Sequence, residues 1–179
     1  MTYTTPLFST LNTLGVDLST SGYDQPYTVS TSTPEYPGAP LAIGTEIINS
    51  AIGRCVYATA AAAITLGNTC AISKAYSATA LTNTTAATSF GLQLGVALST
   101  MTTGQYGWFQ TEGISQNITV TASIAANVQL YTTATAGVLG AIATGVSYSV
   151  NGITTTTTSA ATAGAYAGVI TNLALGAAN

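Results

Sequence analysis

Between Phe90 and Gly113 the hydrophobic positions alternate with small or polar ones. Leu92, Leu94, Val96 and Leu98 fall on one side, with Gln93, Ala97 and Ser99 among those opposite. A period of two predicts a strand with one buried face. Thr102-Thr103-Gly104-Gln105 then predicts a turn, and Tyr106-Gly-Trp-Phe109 opens a returning strand over Tyr106–Thr111, with Gly113 as the punctuation that ends it. Similar patterning predicts strands over Arg54–Thr59, Cys70–Tyr76, Asn117–Thr121, Val128–Tyr131, Val146–Val150 and Ala165–Asn172. Thr, Val, Tyr and Ile dominate them, residues that suit a pleated surface. Asn151-Gly152, between Val150 and Ile153, predicts a hairpin because both residues accept positive φ. The alanine runs Ala60–Ala63 and Ala78–Ala87 predict short helices, weakened by threonine flanks.

The pattern changes near residue 40. All five prolines (Pro6, Pro26, Pro34, Pro37 and Pro40) precede that point, and no alanine occurs before Ala39. Prolines at this density prevent long helices and central strands, since each lacks an amide donor and fixes φ. Leu11, Leu14, Val16 and Leu18, with Tyr3, Tyr23, Tyr27 and Tyr36, are too apolar for a disordered linker. Residues 1–40 are therefore expected to form an extended arm lying along its own domain or a neighbour, with these tyrosines as contacts. Residues 41–179 are expected to form a mainly β domain.

Charge narrows the functional classes. Hydrophobic residues make up 47% of the chain, but only 4% are charged, against roughly 25% in ordinary soluble proteins. Such a surface lacks the repulsion that keeps copies apart, which predicts coverage by other chains in an assembly. Arg54 and Lys74 are the only bases, too few to bind nucleic acid or an anionic membrane surface. Apolar runs are interrupted well before the ~18 residues of a membrane span. The N-terminus carries no basic-then-apolar secretion pattern.

Chemistry-bearing residues are scarce. Without histidine, neither a Ser-His-Asp nor a Cys-His arrangement is available. Glu46 and Glu112 are the only carboxylates beyond residue 40. A glycosidase would need both; the simpler reading balances one of them against Arg54 or Lys74 at a domain edge or interface. Cys55 and Cys70 cannot by themselves make a four-ligand zinc site. Two buried thiols are favoured over a disulfide across neighbouring strands. Tyr106 and Trp108 share one strand face and Phe109 takes the other, so core packing is favoured over a carbohydrate- or partner-binding platform. No enzyme, metal or cofactor is expected.

Four segments carry a resemblance. They are Gly53-Arg54-Cys55-Val56-Tyr57-Ala58, the alternating strand and Gly-x-Tyr-Gly-Trp turn within Leu94–Phe109, Asn117–Val120, and Ala125–Gly137 with its Leu130-Tyr131 and Thr135-Ala136-Gly137. Over roughly residues 50–175 the chain resembles bacteriophage head decoration (cement) proteins of the small β-barrel or β-tulip kind. The resemblance implies a virion protein, made in the host cytoplasm, that sits on the outer surface of the capsid. There it would clamp neighbouring major capsid protein subunits, commonly as a homotrimer at threefold and quasi-threefold positions. The arm would spread over adjacent capsomers, many weak contacts adding up across the lattice. The alternative expectation is a phage fibre-base or adhesin module that binds host glycans or a receptor.

Overall fold

The structure is a computed structural model that describes residues 41–49, 52–142 and 146–178. The arm assigned to residues 1–40, with Tyr3, Tyr23, Tyr27 and Tyr36, lies outside the described residues. Strand accounts for 52% and helix for 3%, which places the chain in the mainly β class. The strands are β1 (Glu46–Asn49), β2 (Gly53–Ala60), β3 (Thr69–Ile72), β4 (Ser77–Ala80), β5 (Gln93–Ala97), β6 (Tyr106–Val120), β7 (Leu130–Thr132), β8 (Leu139–Gly140), β9 (Tyr148–Thr155) and β10 (Gly164–Ala178). One helical turn, α1 (Asn83–Ala86), interrupts them.

β2, β4, β3, β5 and β6 pair in that order, and β6 returns to β2, closing a five-stranded barrel. Alternate residues of each strand fill it: Val56, Ala58 and Ala60 from β2, Cys70 and Ile72 from β3, Ala78 and Ala80 from β4, and Phe109 from β6. Eight strands enclose just enough room for side chains, so five enclose less. Alanine therefore takes more interior positions than any other residue, and Phe109 is the large filler. Gly95 of β5 makes the space for it, since a Cβ there would lie 3.0 Å from Phe109 Cβ.

β6 is one strand of 15 residues where two separate ones, Tyr106–Thr111 and Asn117–Thr121, are expected. Its first half belongs to the barrel. Its second half pairs with β10, from Gly164↔Val120 to Ile170↔Gly113. β10 continues to β9, β9 to β7 and β7 to β8, and a parallel contact, Val120↔Leu139, leads back to β6. This second circuit holds its own core, in which Ile118, Val120, Leu130, Leu139, Val150, Ile153 and Ile170 meet Leu94 and Val96 from the barrel's outer wall. β5 is thus buried on both faces, not one: leucine and valine point to the second core, Gly95 and Ala97 to the barrel interior.

Three local expectations fail for identifiable reasons. Asn151-Gly152 does not turn a hairpin, because β9 runs straight through it. Gly152 uses its positive φ of 77° to let Thr171 O approach, and the β9–β10 register jumps there from Ile170↔Ile153 to Ala174↔Asn151. The tolerance that permits a turn goes into a bulge instead. β3 ends at Ile72, short of the expected Tyr76, which sits at φ 53° in the reversal before β4. Of the two alanine runs only Asn83–Ala86 is helical, held by a reciprocal Thr82–Thr85 cap. Ala60, Ala78 and Ala80 are strand residues because the narrow barrel needs small side chains there.

Candidate functional site

The aromatic cluster is built on adjacent strands. The register sets Tyr57 opposite Trp108 and Thr59 opposite Tyr106. Tyr57 meets Trp108 at a centroid distance of 5.0 Å and stacks on Tyr106 at 6.1 Å. With Ile47 and Cys55 these rings form a third apolar cluster, on the outer wall of the barrel, against which Leu41, Ile52 and Leu98 pack. Trp108 is 2% exposed and Phe109, on the other face, 0%. The expected split of faces is observed, and both faces are core. The Trp108 ring is therefore closed to a ligand by its own neighbours.

Arg54 and Glu112 stand opposite each other on β2 and β6, and Arg54 Nε lies 3.6 Å from Glu112 Oε2. Both side chains are about half exposed, so the pair adds little stability. Its value is location. It sits beside the crossing of Gly53 and Gly113, at φ 101° and 113°, where β6 leaves the barrel. Gln110 Nε2 buttresses that crossing by donating to the Ile52 carbonyl and, at 2.9 Å, to the Ile114 carbonyl.

Beyond the crossing, β6 and β10 diverge, one into the barrel and the other along β9. A cleft of about 310 Å³ opens in the fork, lined by Arg54, Gln93, Leu94, Thr111, Glu112, Asn172 and Leu173. A second, of about 260 Å³, is lined by Ile72, Ser73, Lys74, Tyr76, Gly91, Leu92 and Gln93. The two adjoin at Gln93. Nothing in the local sequence marks them, because they arise from strands distant in the chain; the one available signal is that Arg54 and Lys74 are the only bases.

The exterior of the second circuit differs from the rest. From Gly113 to Asn179 there is no Asp, Glu, Lys or Arg. On its outer face Ile114 pairs across to Val169, and Val169 to Thr154; Ile114 is 57% and Val169 37% exposed. The two aliphatic side chains share an uncharged three-strand face.

Cys55 and Cys70 are both buried thiols. Their strands are separated by β4, and Cys70 faces the barrel interior while Cys55 faces the outer cluster. Burial pushes the Cys70 thiol far above its ordinary value of 9.0. The unfolded chain ionises this thiol as pH passes that value and the folded chain does not. The contribution is therefore complete below about pH 9 and declines above it, by up to about 1.4 kcal/mol per pH unit. Urea unfolding at neutral and alkaline pH is expected to show a smaller alkaline loss for Cys70→Ala than for the native protein. Equal losses would dismiss the thiol as the source.

Among the described residues no group of three or more Cys, Asp and Glu side chains stands together as a metal-binding set. No helix there is long and apolar enough to cross a membrane. No protein-family model and no curated protein matches the chain.

Proposed function

We propose that this chain is a structural virion protein on the outer surface of a phage head, where it binds and cements neighbouring major capsid protein subunits. The observation that carries the reading is the uncharged unit that begins at Gly113, with Ile114 and Val169 open on its outer face. Glu112, at the crossing just before it, is the last charged residue of the chain. A face without charge presents no like-charge apposition to a neighbour, and a lattice multiplies contacts that are individually weak. The Thr154–Thr158 run and the small residues around it supply polarity without repulsion. A homotrimer at threefold and quasi-threefold positions is the form that the resemblance to decoration proteins implies. The glycan-binding alternative has less to draw on, since Trp108 and Phe109 are buried and Tyr106 stacks on Tyr57.

Adding the purified protein to expanded heads that lack it tests the reading. Saturable binding is expected, with a fixed number of copies per particle. Ile114→Glu combined with Val169→Lys is expected to leave the fold intact, because both positions are open to solvent, and to weaken binding by about tenfold or more. A soluble monomer with no affinity for any head or lattice would overturn the proposal.

A further inference from the structure

We infer that residues 1–40 of the same chain dock, through their carboxylates, in the groove formed by the two clefts that adjoin at Gln93. The inference stands whether or not the chain binds a phage head. It begins from the way charge is divided along the sequence. Asp17, Asp24 and Glu35 lie in the first forty residues, which contain no base; Arg54 and Lys74, the only bases, lie outside them. Each base lines one of the two clefts. An acidic segment and a groove holding both cations are complementary, and they belong to one chain.

Neither cation is fully committed. No ion pair among the described residues engages Lys74, and Arg54 meets Glu112 through Nε alone. A guanidinium has five N–H donors, so Arg54 retains capacity for a second carboxylate. The remaining lining suits an extended, partly apolar segment. Leu92 offers apolar surface, and the exposed Gln93 and Asn172 offer groups that bond to a main chain. Beyond Ile170 the edge of β10 that faces the fork has no strand partner among the described residues. Leu14, Val16 and Leu18 alternate in the way such an edge accepts.

The point of entry favours the chain's own arm over that of another copy. A Cβ on Gly44 would lie 2.4 Å from Tyr76 Cε2, so the backbone there rests on the Tyr76 ring. Tyr76 lines the Lys74 cleft. The described chain therefore passes beside the groove at Gly44, three residues after Leu41, and forty residues reach up to ~130 Å when extended. Tethering raises the effective concentration of the arm to the order of millimolar.

Zero-length carbodiimide coupling of the full-length protein tests this directly, because Lys74 is the only side-chain amine. Low salt is expected to give amide links from Lys74 Nζ to Asp17, Asp24 or Glu35, mapped by mass spectrometry and lost in Lys74→Arg. In a mixture of isotopically labelled and unlabelled protein the links are expected within single chains. Absence of any arm link to Lys74 overturns the inference, and links between labelled and unlabelled chains overturn docking in the same chain. A second measurement follows chymotrypsin cleavage after Tyr23 and Tyr27. Arg54→Gln with Lys74→Gln is expected to speed it by about threefold to tenfold, the range two exposed ion pairs supply, while Lys74→Arg keeps the native rate. An unchanged rate in the double variant counts against the groove.

Discussion

Gly113→Ala is expected to cost about 3–5 kcal/mol of stability and to lower the melting temperature by roughly 6–20 °C. Gly113 has φ 113°, and a Cβ there would lie 2.1 Å from Ile52 O and 2.8 Å from Gly53 Cα. These are backbone atoms, which no rotamer change can move aside. Gly53 is in the reciprocal position, at φ 101°, with its own Cβ site 2.1 Å from Glu112 O. The two strands touch through paired glycines where β6 passes from the barrel to the second circuit. Gly91→Ala isolates the steric part, because Gly91 also has positive φ, at 75°, but nothing within 4 Å of its Cβ site. Only the conformational cost, about 1 kcal/mol, is expected there. Urea unfolding of both variants measures the difference, and equal losses would remove the crossing as a structural keystone.

The fold was legible in the chain where periodicity acts locally. The alternation of Leu92, Leu94, Val96 and Leu98 marks β5, and Thr102–Gln105 marks its turn, with Gln105 N donating to Thr102 O at 3.1 Å. What local pattern conceals is the second burial of β5. Gly95 and Ala97 read as the solvent side because small residues suit either environment, and only barrel closure assigns them inward. The same ambiguity misdirects the alanine runs: Ala78 and Ala80 have high helix propensity, yet the narrow interior selects them for volume. Gly113 reads as a strand terminator and acts as a bend within a single strand. In both cases a tertiary requirement overrides a local preference.

The site was legible only through scarcity. Arg54 and Glu112 stand out because charged residues are few, and their pairing at 3.6 Å follows the expectation that one carboxylate balances a base at an edge. The fork between β6 and β10 leaves no sequence trace, since Thr111 and Asn172 reach one cleft from widely separated parts of the chain. Trp108 shows the converse. Its rarity attracts a functional reading, whereas its burial with Tyr57 and Cys55 assigns it to packing.

Phe109→Ala is expected to destabilise by about 3–5 kcal/mol, the range for a truncated core aromatic. The cost of such a truncation depends on whether the surroundings can collapse into the space. Here the surroundings are strands hydrogen-bonded in a closed ring, and the residues paired with Phe109 on either side are Val56 and Ala97, too short to reach across. The hydrophobic side chains clustered with Phe109 offer a water few polar partners, so a void there gains little compensation. Phe90→Ala provides the comparison: that ring is 51% exposed and meets Tyr148 edge-on at 5.5 Å, so about 1 kcal/mol is expected. A loss at Phe109 no larger than at Phe90 would mean that the barrel closes up when emptied. The alanines around it would then be incidental to its width, instead of the consequence of enclosing a core with only five strands.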